Sequence, residues 1–228
     1  MEKLIYLLGR PENADIEALS QQLRGEIVAK LTALGASAIR LCIDDADVAS
    51  ATNRQGDMAA ASWCVVSLWV NSRLINSKLV ALFGAVSSFQ HGYAVAESEQ
   101  LRYDFQRDGS RTAGMNQVVF FRGREDLPRA AWLSIWLESH TDIAIDTQST
   151  FGYRQHVVGD VLTSNSPHFG AIVEENFPVA AMNSLAAFYD AEGDDAKLKE
   201  RLEAMMNSVT RFIDMDSLQV LPTSEYNL

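Results

Sequence analysis

The chain has 228 residues, 47% hydrophobic and 21% charged, which is the make-up of a globular protein and not of a disordered one. A net charge of −11 argues against a nucleic-acid partner, because no basic stripe could neutralise phosphates, and against an anionic membrane surface. No apolar run approaches the roughly 20 residues that span a bilayer. The opening residues Met1 to Tyr6 lack a basic region followed by a long apolar one, so no signal peptide is visible. The two cysteines, Cys42 and Cys64, show no ligand or disulfide pattern and are expected to be reduced and buried. Together these imply a cytoplasmic protein.

In chain order, Lys3 to Arg10 reads as a strand, and Ile16 to Leu34 as a helix. Ile16, Leu19, Leu23, Ile27, Leu31 and Leu34 keep the helical period, with Asp15 as N-cap and Gly35 as stop. Ser37 to Ile43 is a second strand, and the polar Asp44 to Asp57 a loop. A third strand over Ala60–Val70, a helix over Leu74–Phe89 and a fourth strand over Tyr93–Leu101 follow. The polar stretch 102–115 is a linker.

Beyond the linker the pattern repeats. Gln117 to Arg124 is a strand that falls on Lys3 to Arg10 when shifted by 114 positions, ending in Gly-Arg both times. A helix runs from Arg129 to Asp146, preceded by Pro128. Trp132, Ile135, Trp136, Ser139, His140 and Ile143 share one of its faces. Phe151 to Val158 alternates as a strand and matches Ser37 onward without a gap. Phe169–Phe177 is a strand, 180–188 and 197–213 are helical, and Leu218 to Glu225 closes the chain as a strand.

The order is βαββαβ twice, the split-βαβ or ferredoxin-like unit. A period this long indicates a tandem duplication rather than a solenoid, with units at 1–110 and 115–228. Helices cover one face of each sheet. The other face, several hundred Å² of apolar surface, is worth roughly ten kcal/mol of burial. The expected fold is therefore α+β, two ferredoxin-like repeats whose bare faces close into one barrel within a single chain. A monomeric barrel and a homodimer both remain open.

Three segments of the second half, Trp136-Leu-Glu-Ser-His140, Tyr153-Arg-Gln155 and Ala171 to Phe177, resemble the EthD family. The resemblance covers about 117–228 and implies a ferredoxin-like α+β barrel with a pocket. It leaves the reaction undefined. Related barrels act without a cofactor on small aromatic or polyketide-like molecules, as cyclases, decarboxylases or monooxygenases.

His140 is then the candidate general base or acid, since burial among aromatics favours its neutral form. The ordinary alternative is a helix-end His bonded to backbone. Alternation puts Tyr153 and Gln155 on one strand face and Arg154 and His156 on the other. If Tyr153 and Gln155 face the barrel, they offer a phenol and an amide to a ligand, which is the working expectation. If they face the helices, His156 becomes the interior group. Trp136 is a candidate pocket wall. Glu174 and Glu175 straddle the two faces of their strand, and Glu174 is taken as the substrate-side carboxylate.

In the first half, Gln22, Glu26, Ile39 and Leu41 replace Trp136, His140, Tyr153 and Gln155, so at most one pocket is expected. No glycine-rich nucleotide loop, nucleophile elbow or metal-ligand pair appears, so no cofactor and no metal are expected. The expected partner is a small hydrophobic or aromatic molecule. A non-catalytic ligand carrier is the competing reading.

Overall fold

The computed structural model describes residues 1–228. Strand β1 (Glu2–Gly9) leads into helix α1, which runs Ile16–Gln22, passes through a π-helical turn at Leu23–Ile27 and ends at Val28–Ala33. Asp15 caps it, its carboxylate accepting from the backbone N–H of Glu17 at 3.0 Å and of Ala18 at 3.3 Å. Next come β2 (Ser37–Ile43), a short α2 (Asp57–Ala60), β3 (Ser62–Val70), α3 (Asn76–Phe83) and β4 (Gln90–Leu101).

The second half supplies β5 (Met115–Gly123) and helix α4, built from Arg129–Ser134, a π turn at Ile135–His140 and Thr141–Thr147. Then follow β6 (Gly152–Val161), β7 (Ala171–Phe177), α5 (Leu185–Phe188), α6 (Asp195–Val209) and β8 (Ile213–Asn227). Both long helices carry their π turn at matching places in the two halves. No helix is long and apolar enough to cross a membrane.

Several expected elements shift. The helix expected over Leu74–Phe89 ends at Phe83, and residues 84–89 form the turn that leads into β4 at Gln90. The supposed helix over 180–188 breaks into a 3₁₀ turn at Val179–Met182 and α5. Loop 44–57 contributes a backbone bridge, Gln55 to Val220 on β8, that ties it to the second half.

The eight strands form a closed antiparallel barrel in the order β1-β3-β2-β8-β5-β7-β6-β4, with β4 returning to β1. Each half keeps the ferredoxin-like sequence 4-1-3-2. The halves join edge to edge, β2 on β8 and β4 on β6. Closure leaves no unpaired strand edge. This is the intrachain α+β barrel expected from the sequence.

The side chains inside the barrel divide into two zones. At one end Ile5, Leu7, Val65, Tyr93, Phe120 and Ile172 make an apolar plug, each worth about 1.5–3 kcal/mol of burial. At the other end the interior is charged, with Lys3, Arg40, Glu97, Arg154, Glu174 and Glu225. The apolar inner face expected from the sequence is thus confined to one end of the barrel. Charges are tolerated because they pair across strands: Arg40 Nη1 donates to Glu174 Oε2 at 2.8 Å, and Lys3 pairs with Glu97. Cys42 and Cys64 are buried and free, and burial raises both thiol pKa values.

The linker ends at Gly114, whose φ is +98° and whose missing Cβ would lie 2.1 Å from the Phe177 carbonyl oxygen. Both constraints come from backbone, so no side chain can move aside. Gly114→Ala is expected to destabilise by at least about 2 kcal/mol, read as a drop in Tm of several degrees. An unchanged Tm would contradict this placement.

Candidate functional site

Between the outer face of the second half's sheet and its helices lies a pocket of about 400 Å³. α4 forms one wall because its apolar face must be buried. Trp136 stacks on Trp132 with centroids 5.3 Å apart and meets Phe121 edge-on at 5.4 Å. One turn further, His140 packs on Phe212 at 4.8 Å. Its Nδ1 lies 2.9 Å from Ser208 Oγ of α6. His140 is 7% exposed, and burial, helped by Arg211, lowers its pKa to about 4. It is therefore a neutral imidazole at physiological pH.

The sheet supplies the floor. β6 contributes Tyr153, whose burial raises the phenol pKa. β7 contributes Glu175 and β5 contributes Gln117, whose Nε2 donates to Glu175 Oε2 at 3.2 Å. Gln117 is held in turn by Asn53 of the first half. The hydrogen-bond network orients the Gln148 amide so that its nitrogen donates to Glu175 Oε1 and to the Ala144 carbonyl, both at 3.2 Å. Two amide donors do not offset desolvation, and burial pushes the Glu175 carboxyl up to about 7. One cavity thus holds a neutral base, a carboxyl that changes charge near neutrality, and a phenol. Gln55 reaches its rim from the first half.

His140, Trp136 and Tyr153 are brought together here. Gln155 stands behind Tyr153, its Nε2 donating to Thr141 Oγ1 at 3.0 Å. Tyr153 and Gln155 therefore face the helices, not the barrel, and the working expectation is reversed. The reason is charge. Arg154 and His156 on the other face find Glu99 at 3.0 Å and Glu97 at 3.1 Å inside the barrel, whereas Tyr153 joins the apolar cluster of Trp136.

Glu174 and His156 are likewise interior and lie away from His140. Burial lowers the pKa of His156, with Glu97 and Glu174 opposing. Alternation from Val173 identifies Glu175, not Glu174, as the carboxyl on the His140 side. Gln117, Gln148 and Ser208 had no distinguishing pattern in the sequence, although Gln117 shares a strand face with Val119 and Phe121. In the first half, Leu23, Ile27, Leu31, Trp63 and Phe83 pack together where the second half opens its pocket. No group of three or more His, Cys, Asp or Glu side chains converges as a metal site would.

Solved structures share this architecture from end to end. A candidate monooxygenase from Lactobacillus acidophilus NCFM matches with a TM-score of 0.52 at 10% identity, over 98% of this chain and 93% of its own. An anthrone oxidase-like protein matches with 0.55 at 8% identity, over 100% and 91%. A cyanide complex of a chlorite dismutase variant from Candidatus Nitrospira defluvii gives 0.50 at 6% identity, over 100% and 90%. The chain shares their α+β barrel fold. At such identities the likeness is one of fold alone. No protein-family model matches the sequence, and no curated protein does.

Proposed function

We propose that this α+β barrel is an EthD-like, cofactor-independent enzyme acting on a small aromatic or polyketide-like compound, as a cyclase, decarboxylase or monooxygenase. The βαββαβ halves, units 1–110 and 115–228, are read as a tandem duplication in which the second unit kept the site. The supporting observation is the pocket that unites His140, Tyr153 and Glu175 under Trp136.

Cyclisation and cofactor-free oxygenation by dioxygen both start from a carbanion or phenolate, so both need a base. Decarboxylation ends by protonating a carbanion, so it needs an acid. A neutral imidazole and a carboxyl near pH 7 supply either role. Tyr153 would hold the developing oxyanion and Trp136 would stack on the ring. Gln155 positions Tyr153, its Nε2 lying 3.4 Å from the phenolic oxygen. Glu174 and His156, inside the barrel, fall outside this proposal.

Thermal-shift screening of the full chain against aromatic acids, phenols and polyketide-like diketones tests the proposal. Binders are expected to raise Tm. Turnover of a binder is expected to fall about 10²–10⁴-fold in His140→Ala, with binding retained. Binding without turnover in the wild type would favour a ligand carrier. No Tm response to any of the compounds would remove the support for both readings.

A further inference from the structure

A second cavity, about 410 Å³, opens at the charged end of the barrel interior. It lies on the opposite face of the sheet from the His140 pocket and shares no lining residue with it. Five cations line it, Lys3, Arg40, Arg102, Arg107 and Arg154, against three carboxylates, Glu97, Glu99 and Asp104. The lining is therefore net +2 in a chain of net −11.

Two more carboxylates lie deeper, each hydrogen-bonded through at least one oxygen. Glu225 accepts from Tyr103, from Thr112 Oγ1 at 3.1 Å and from Asn227 Nδ2 at 2.6 Å. Glu174 accepts from Arg40 through Oε2, and its Oε1 makes no hydrogen bond.

Arg154 is the decisive residue. It is 1% exposed, and its Nε donates to Glu99 Oε1 at 3.0 Å. Its Nη1 is 3.5 Å from Glu225 Oε2 and 3.9 Å from Glu174 Oε2, yet neither Nη1 nor Nη2 makes a hydrogen bond. A buried guanidinium with its fork unpaired is costly, and a water can accept only part of what it offers. Arg40 stands near enough to disfavour the charge on Arg154, against which Glu174, Tyr103 and Glu225 hold it charged, and its own bonds go through Nε and Nη1 to Asn227 and Glu174.

Above the two arginines lie aromatic rings from the linker. The Tyr103 ring centre is 4.9 Å from Arg154 Cζ, and the Phe105 ring centre is 6.0 Å from Arg40 Cζ and 5.2 Å from Arg107 Cζ. These rings cover the fork; Phe105 is held by cation–π contacts, while Tyr103 is also tied down by its hydroxyl, which donates to Glu225.

We propose that the barrel mouth binds a small molecule through a carboxylate or phosphate group, with the fork of Arg154 and the neighbouring Arg40 as its receptor and residues 103–105 as its cover. An oxyanion matches a guanidinium fork with two parallel N–H bonds and relieves the repulsion between the two arginines. Glu97 and Glu99 on the wall disfavour extended polyanions, so the ligand is small. The site is independent of the proposed chemistry at His140.

Calorimetric titration of the full chain with inorganic phosphate, and separately with succinate, tests this. Saturable binding at one site per chain is expected for at least one of them, and the one that binds identifies the group recognised. Arg154→Lys keeps the charge beside Glu99 and loses the fork, and is expected to weaken binding about tenfold. Arg107→Gln, at the rim, is expected to weaken it several-fold without touching the buried network. His140→Ala should bind as the wild type does. Absence of saturable binding by either oxyanion, or equal binding in the arginine variants, would overturn the proposal.

Discussion

Glu174→Leu is expected to lower the unfolding free energy by about 3–5 kcal/mol, the usual cost of leaving a buried charge without its partner. Glu174 is fully buried, and its carboxylate holds Arg40 at 2.8 Å across the barrel. Burial alone would raise its pKa, but Arg40, His156, Lys3 and Arg154 together hold it below the ordinary carboxylate value. A depressed folded value contributes stability that is present above the unfolded pKa of about 4.5 and is lost as pH falls below it. The wild type should therefore lose stability in acid, and Glu174→Leu should lose less of what remains. Arg40→Leu with Glu174→Leu should recover part of the single-variant loss, since the pair is removed together. Urea unfolding at neutral and acid pH measures all three. A single variant within about 0.5 kcal/mol of the wild type would show that the pair contributes nothing.

That pair also shows where sequence reasoning stops. Helical periodicity set Trp132, Trp136 and His140 on one face of α4, and burial of all three follows. Alternation separated Tyr153 and Gln155 from Arg154 and His156 correctly. Choosing which face lay inside needed the partners of those charges, and they lie far away in the chain: Arg40 and Glu174 are 134 positions apart and meet only when both halves have closed. A rule that interiors are apolar gives the wrong face whenever charges compensate one another across strands. The strands at Lys3–Arg10 and Gln117–Arg124 were readable because each is a local apolar run ending in Gly-Arg. The short turns of loop 44–57 were not, because their geometry is set by contacts such as Gln55 to Val220 on the far half.

A second expected result concerns the slope of stability with pH, and it ties the pocket's electrostatics to its proposed use. Burial lifts the Glu175 carboxyl from about 4.5 to about 7. Its contribution is fully present below pH 4.5 and is lost as pH rises through 7, by about 3 kcal/mol in all. Burial moves His140 the other way, from 6.5 to about 4, so its contribution is present above 6.5 and is lost as pH falls through 4, by a similar amount. Between pH 4.5 and 6.5 the two slopes oppose each other and nearly cancel. Glu175→Gln removes one of them. Stability of that variant should rise with pH across the interval, and above pH 7 it should exceed the wild type by up to about 3 kcal/mol. His140→Gln should show the opposite trend. If the difference between Glu175→Gln and wild type were the same at pH 4.5 and pH 8, the carboxyl would not be titrating near neutrality. The pocket would then lack the group that can both take and give a proton at physiological pH, and the acid–base chemistry proposed for it would rest on His140 alone.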